Sequence, residues 1–394
     1  MVTLSPRFKV LSSGVFCLML TLGIARFAYT PLLPIMFEQT HLNAVSGGWL
    51  ATINYLGYMS GALTTALIGS LIIKDRLYRL GLVLSIATTL MMGFSESIWL
   101  WSVSRYIAGF ATAAGLLMGS GLLLNWLIRH GYRSEMGIHF SGVGLGIALV
   151  ALLIGGLKDV LSWSQLWWML GLVAVLLAIP AWRWLPKPDI SGVTQAGEIL
   201  NDQPPSKRFL WLMMFVYFCG GFGFVISATY IVAIVEGQTT TQGSGELAFL
   251  MLGLVAAPAS ILWDILSRKA GILNALMLAY LLHALGIILP TLGSASYFGF
   301  LSAILYGFTF IGIVSIVLTL AGRFYPTKPA KLMGLLTMSY GIPQIIAPTI
   351  AGYLAQQSGN YYDALYMAWG FVVLGIFAIL AIKKWAEDDI KKLA

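Results

Sequence analysis

Two arginines stand inside long apolar runs of the chain: Arg26 in GIARFAYTPLLPIM (residues 23–36) and Arg105 in RYIAGFATAAG (residues 105–115). A guanidinium keeps its charge at any physiological pH and presents a planar fork of donors, which suits an anionic group. On a helix, Tyr29 and Thr30 follow Arg26 at three and four positions and share its face. Further along, Thr337, Tyr340 and Gln344 recur at helical spacing, with Pro343 and Pro348 interrupting the helix, and Ser227 and Tyr230 form a smaller polar patch. Each of these hydroxyl and amide groups could contact a solute or serve as an interhelical hydrogen-bond partner. His139 lies four residues after Glu135 and is expected to pair with it, whereas His283 sits in an apolar run as a packed ring. His139 and Arg105 are candidates for coupling, and the His283 ring, if not simply packed or at the lipid interface, titrates in a range that could serve proton transfer.

Other chemistries are missing from the sequence. It contains no phosphate-binding loop, nucleotide motif, Ser/His/Asp set or metal-ligand spacing, so neither an enzyme nor a metal or cofactor site is expected. Cys17 and Cys219 both fall in apolar runs and read as small packing groups. A net charge of +8 in a soluble protein would suggest nucleic acid, but the placement of the charges here carries a different meaning.

The elements that must hold these residues follow from composition. With 59% hydrophobic residues, 10% charged residues and a mean hydropathy of +0.86 over 394 residues, the chain reads as a polytopic membrane protein. A bilayer core of about 30 Å takes roughly 20 apolar residues as helix. Apolar runs at 10–36, 47–72, 80–97, 99–127, 135–157, 163–185, 209–235, 246–267, 271–292, 296–322, 330–356 and 362–383 give twelve expected spans. The first is too long for a signal-peptide core and reads as a retained span.

If the N-terminus is cytoplasmic, 20 of the 23 lysines and arginines fall in inner segments and only Lys158 falls outside. That asymmetry is the positive-inside pattern, and it places both termini in the cytoplasm. Arg26 and Arg105 are the two basic residues left over, and no carboxylate remains in the interior of any expected span. A charge at the bilayer centre costs about 2.5–3.5 kcal/mol on insertion scales, so a retained arginine faces a wet cavity or a partner.

The polar, proline-rich stretch PKPDISGVTQAGEILNDQPPSKR (residues 186–208) reads as a cytoplasmic linker between two six-helix bundles, 1–185 and 209–394. An offset of 197 residues aligns Gly115 with Gly312, Met136-Gly137 with Met333-Gly334 and Gly144 with Gly341, the trace of an internal duplication.

Short motifs then carry a resemblance. In GSLIIKDRLYRLG, Asp75, Arg76 and Arg79 occupy the Asp, Arg and Arg places of the G-x-x-x-D-R-x-G-R-R motif of the major facilitator superfamily, with Leu71 and Tyr78 where glycines are usual. WDILSRKAG, with Asp264 and Arg268, looks like its copy in the second half. Arg105 and Gly109 match the superfamily's R-x-x-x-G, and SGVGLGIALVALLIGG resembles the glycine-rich fifth-helix motif of proton antiporters without its usual Gly-Pro. GFGFVISATYIV, YGFTFIGIVSIVL and MGLLTMSYGIPQIIAPTIAGYLA are similar to the bacterial YbfB/YjiJ-like branch.

The resemblance implies an all-α membrane protein of twelve helices in two pseudo-symmetric bundles, working by alternating access in the bacterial inner membrane. It implies that Asp75, Arg76, Arg79, Asp264 and Arg268 act in gating and that Arg26 lies near the substrate path. The expected activity is secondary transport of a small anionic or zwitterionic, partly apolar organic solute. Proton-coupled efflux of neutral hydrophobic compounds and a transport-inactive sensor or scaffold are the alternatives. The expected partners are that solute, membrane lipid and protons as a coupling candidate, with no nucleic acid, and the expected state is a monomer.

Overall fold

The computed structural model describes residues 5–191, 193–236, 244–293, 295–386 and 388–392, so Gly192 of the expected linker lies outside them. Among the described residues the regular structure is helical, apart from one antiparallel bridge between Val193 and Ile199 in the linker. The helices are α1 (Pro6–Leu18), α2 (Tyr29–Gln39), α3 (Ala44–Leu67), α4 (Leu71–Met92), α5 (Ile98–Ala113), α6 (Ser120–Arg129), α7 (Met136–Leu157) and α8 (Trp163–Arg183). They continue as α9 (Lys207–Glu236), α10 (Gly245–Ala270), α11 (Ile272–Ile288), α12 (Ser296–Phe324), α13 (Ala330–Ser358), α14 (Tyr362–Trp385) and the short α15 (Asp388–Lys391). Nine helical stretches among the described residues are long and apolar enough to cross a membrane.

Local chemistry sets several helix starts. The Asn43 side chain accepts from the Ser46 N–H while the Ser46 hydroxyl accepts from the Asn43 N–H, and Ser162 with Gln165 repeats this box at the start of α8. Ser70 caps α4 by accepting from the Ile73 N–H. That cap starts the helix well before the apolar run at 80–97, so Asp75, Arg76 and Arg79 lie on α4 itself.

Two segments depart from α geometry. Met19–Phe27, between α1 and α2, and Ala114–Gly119, between α5 and α6, are π-helical. At the end of the first, Pro31 offers no N–H to the Phe27 carbonyl, which removes the α bond that would carry the helix through. Such π segments are concentrated at functional sites. The two segments touch: Gly115 packs against the Thr21 side chain, and the Thr112 hydroxyl donates to the Thr21 carbonyl at 2.9 Å.

The chain divides into two compact units, one comprising residues 1–202 and 321–335, the other residues 203–320 and 336–394. In the first unit α3 and α5 meet backbone to backbone. A Cβ on Gly57 would collide with the Tyr106 carbonyl, and one on Gly109 with the Asn54 carbonyl. The glycine of R-x-x-x-G is therefore a packing residue. The glycines of α7 act alike: Gly142 faces Val15, and Gly146 faces Gly23 and Met19. The proline-rich segment folds back on the end of α6, where Arg129 donates to Ser191 and Val193, and encloses a cavity of about 400 Å³. Exposed Asp189, bonded by the N–H and hydroxyl of Ser191, is held below the usual carboxylate pKa. In the second unit Cys219, like Cys17 in the first, is buried and free.

Candidate functional site

The first unit gathers its two interior arginines onto a wall of tyrosines. Arg26, in the π segment and 7% exposed, lies over the Tyr58 ring at 4.6 Å and the Tyr55 ring at 5.0 Å, both on α3. Arg105, on α5 and 3% exposed, lies over the Tyr29 ring at 4.5 Å and donates from Nη1 to the Ala25 carbonyl at 3.1 Å. The two guanidinium groups are near enough for their like charges to act on each other, and among the described residues the Arg105 Nε has no hydrogen-bond partner. Away from water a cation over an aromatic face gains about 2 kcal/mol, which offsets part of the burial of each charge.

The surroundings hold this wall in place. Asn54 on α3 donates to the Arg105 carbonyl at 2.8 Å, and the Tyr29 hydroxyl donates to the Gly47 carbonyl at 2.9 Å. Tyr29 thus lines Arg105 rather than Arg26, and Thr30 is half-buried. The expected grouping of Arg26, Tyr29 and Thr30 assumed α spacing, and the π segment ending at Phe27 changes that register. Tyr55 and Tyr58 were absent from the sequence reading. Their spacing of three on one helix was visible, but not that α3 faces Arg26.

The second unit has a different centre. Tyr340 of α13 stacks on Tyr217 of α9 at 4.3 Å and meets Phe224 at 5.5 Å. Gln344, 1% exposed, donates to the Tyr340 carbonyl at 3.2 Å. Thr337 is also buried, and its hydroxyl has no hydrogen-bond partner. Ser227 is buried on α9, while Tyr230 donates to the Pro348 carbonyl at 2.9 Å and stacks on Tyr361. Helix α13 thus runs past Pro343 and Pro348 beside α9, and a Cβ on Gly221 of α9 would collide with the Tyr340 carbonyl.

Among the motif charges, both Asp75 oxygens accept from the Arg79 Nε at 3.1 Å, and Arg79 also donates to the Trp182 carbonyl at 2.8 Å and the Leu185 carbonyl at 3.1 Å. The pair ties α4 to the end of α8. Arg76 is exposed and outside this network. On α10, Arg268 donates to Asp264 at 2.7 Å.

The histidine expectation needs correction. Glu135 pairs with Arg7, not with His139. His139 turns inward instead, with Nε2 at 2.7 Å from the Ser120 hydroxyl, in space left by Gly14. An ion pair at the helix end keeps Glu135 near water, whereas the glycine opens a slot for the ring. His283 is packed as expected, with Nδ1 at 2.7 Å from the Thr309 hydroxyl. Among the described residues no group of three or more His, Cys, Asp and Glu side chains could hold a metal ion.

An all-helical membrane fold with charged and aromatic walls inside its bundles is the architecture of a transporter. The chain belongs to the major facilitator family described as "Uncharacterised MFS-type transporter YbfB", whose model matches residues 18–380. It is 28% identical to the "Putative uncharacterized transporter YgaY" of Escherichia coli K12, over 47% of this chain and 46% of that protein, so it spans about half the length of that relative. It is 22% identical to the "Probable sulfoacetate transporter SauU" of Cupriavidus necator, over 78% of this chain and 77% of that one. It is 23% identical to the "3-(3-hydroxy-phenyl)propionate transporter" of Escherichia coli K12, over 86% and 82%.

Proposed function

We propose that this protein is a secondary transporter of a small organic anion or zwitterion with an apolar part, moved by alternating access of two six-helix bundles. The observation that carries the reading is the convergence of two buried guanidinium groups on the tyrosines of the first unit, with the Arg105 Nε unpartnered. The sequence supplies no aspartate or glutamate in the interior of the expected spans, so this interior carries net positive charge. An anionic solute would neutralise it through charge-assisted hydrogen bonds. The names of two relatives, transporters of sulfoacetate and of 3-(3-hydroxyphenyl)propionate, are those of organic acids and support this class.

In this reading Arg26 binds the anionic group, Tyr29 contributes from beside Arg105, Thr30 is a further contact, and Ser227, Tyr230, Thr337, Tyr340 and Gln344 are the polar and aromatic contacts of the second unit. Asp75, Arg76 and Arg79, with Asp264 and Arg268, act in gating, and Arg105 and His139 in coupling. Both termini face the cytoplasm, on the placement of 20 of 23 basic residues.

A second reading, proton-linked efflux of neutral hydrophobic compounds, draws on the aromatic cluster around Tyr217, Phe224 and Tyr340. A melting-temperature panel of organic anions, cations and neutral hydrophobes on the purified protein separates the two, because a ligand that binds the folded state raises its stability by mass action. Selective stabilisation by organic anions is expected. Selective stabilisation by cations would overturn the reading, and selective stabilisation by neutral compounds would favour efflux. Counterflow in liposomes then distinguishes a transporter from a sensor that binds without flux.

A further inference from the structure

Lys74, on the first turn of α4, is fully buried, and among the described residues its ammonium has no hydrogen-bond partner. Asp75, its neighbour in the chain, and Asp202, the partner of Lys328, are both engaged elsewhere. Asp75 is bound by Arg79, while Asp202 accepts from the Thr327 hydroxyl at 2.7 Å and from the Thr327 N–H at 3.2 Å, with Lys328 at 3.8 Å. The charges facing Lys74 are of its own sign: the ammonium groups of Lys328 and Lys331 are close enough to act on it.

Those two lysines are held within the first unit by the contacts on either side of them. Asn125 of α6 donates to the Pro326 carbonyl at 2.8 Å, Gly121 packs against Ala330, and Gly334, one turn after Lys331, packs against Ala62 and Ala66 of α3. Lys331 is also the second residue of α13, a 29-residue helix with no acidic residue in its first turn. The start of a helix carries partial positive charge and N–H groups without intrahelical partners.

A buried unpartnered ammonium beside two further ammonium groups and a helix start is unfavourable as it stands, because nothing compensates the desolvated charge. An unsatisfied buried group of this kind calls for a partner, and a bound ion is one that would supply it. We propose that Lys74, Lys328 and Lys331, at the start of α13, form a binding site for a phosphate-type anion. Lys74 is its sealed floor, and Lys328 and exposed Lys331 form a rim reached from solvent. A tetrahedral anion can accept from several ammonium groups and helix N–H groups at once. Two sources present that chemistry: a free inorganic anion and the headgroup of an anionic phospholipid.

The test is the melting temperature of the full chain in a neutral detergent, titrated at constant ionic strength with inorganic phosphate, and in parallel with phosphatidylglycerol against phosphatidylcholine. The expected result is a saturable rise of several degrees that Lys74→Met abolishes and Lys331→Gln reduces. A rise with phosphate supports a free anion, and a rise with phosphatidylglycerol alone supports a headgroup. Lys331→Gln changes only an exposed side chain, so it keeps the test decisive if Lys74→Met does not fold. No saturable rise with either probe overturns the site. So does a rise that persists undiminished in Lys331→Gln.

Discussion

The two units solve the problem of interior polarity in different ways. The first buries full charges, Arg26 and Arg105, and lays each against tyrosine faces at 4.5–5.0 Å. The second places aromatic rings and neutral polar groups at its centre, and among its described residues the buried charged ones are Asp264 on α10 and Asp389 on α15. A fixed charge attracts an anion at long range in a low dielectric, whereas rings and hydroxyls discriminate by shape and hydrogen bonding. Under the proposed function, the difference lets affinity for an anionic group and selectivity for the rest of the solute be tuned in separate parts of one chain.

The largest expected effect breaks the scaffold under the charged wall. Gly109→Leu must push α5 off the α3 backbone at the Asn54 carbonyl, at a cost of about 3 kcal/mol or more. The yield of monodisperse protein and its melting temperature should both fall sharply. A well-folded Gly109→Leu would show that the α3–α5 crossing is not set by this contact.

Next comes the charge itself. Arg26→Ala should weaken organic-anion binding about 10- to 100-fold, the scale of a hydrogen bond to a charged group. Arg26→Lys should fall between, keeping the charge and losing the planar fork. Binding by titration calorimetry, with the unliganded melting temperature on the same preparations, is the measurement. Lost stability with affinity intact would make Arg26 a structural tie rather than a ligand.

A smaller effect is expected on the aromatic side. Tyr340→Leu should lower the preference for aromatic over aliphatic anions by about 3- to 10-fold, the worth of one ring pair, while leaving aliphatic anions nearly unaffected. Competition binding with matched aromatic and aliphatic acids checks it. An equal loss for both classes would erase the division of labour between the units.

The smallest concerns the motif charges. Asp75→Ala releases Arg79 from its carboxylate and loosens the tie to Trp182 and Leu185, an effect of about 1 kcal/mol on any equilibrium that separates α4 from the end of α8. Accessibility of cysteines introduced around these helix ends should rise about five-fold. Unchanged labelling would leave the pair as a helix anchor without a part in gating.

Much of this was legible in the sequence, because in a membrane the constraints are one-dimensional. Runs of apolar residues marked a helical membrane chain, of which nine stretches among the described residues are long and apolar enough to cross a membrane, and the scarcity of charge inside the runs singles out Arg26 and Arg105. The lateral neighbours were not legible. Tyr55 and Tyr58 reach Arg26 from another helix, and Tyr217 and Phe224 reach Tyr340 from α9, contacts that periodicity along one helix does not encode. Local rules also failed where geometry changed. Tyr29 went to Arg105 because the α pattern stops at Phe27, and Glu135 went to Arg7 because His139 had a slot at Gly14.

The reciprocal glycines of α3 and α5 carry a genetic consequence. At Gly171 the atoms nearest a new Cβ belong to the side chain of Leu90, so a lesion there has a remedy: a smaller residue at position 90 restores the room. At Gly57 and Gly109 the obstacle is a carbonyl of the opposite main chain, and no mutation can make a main chain smaller. A suppressor screen should therefore return second-site revertants at Leu90 for substitutions of Gly171, and only same-site reversion for substitutions of Gly109.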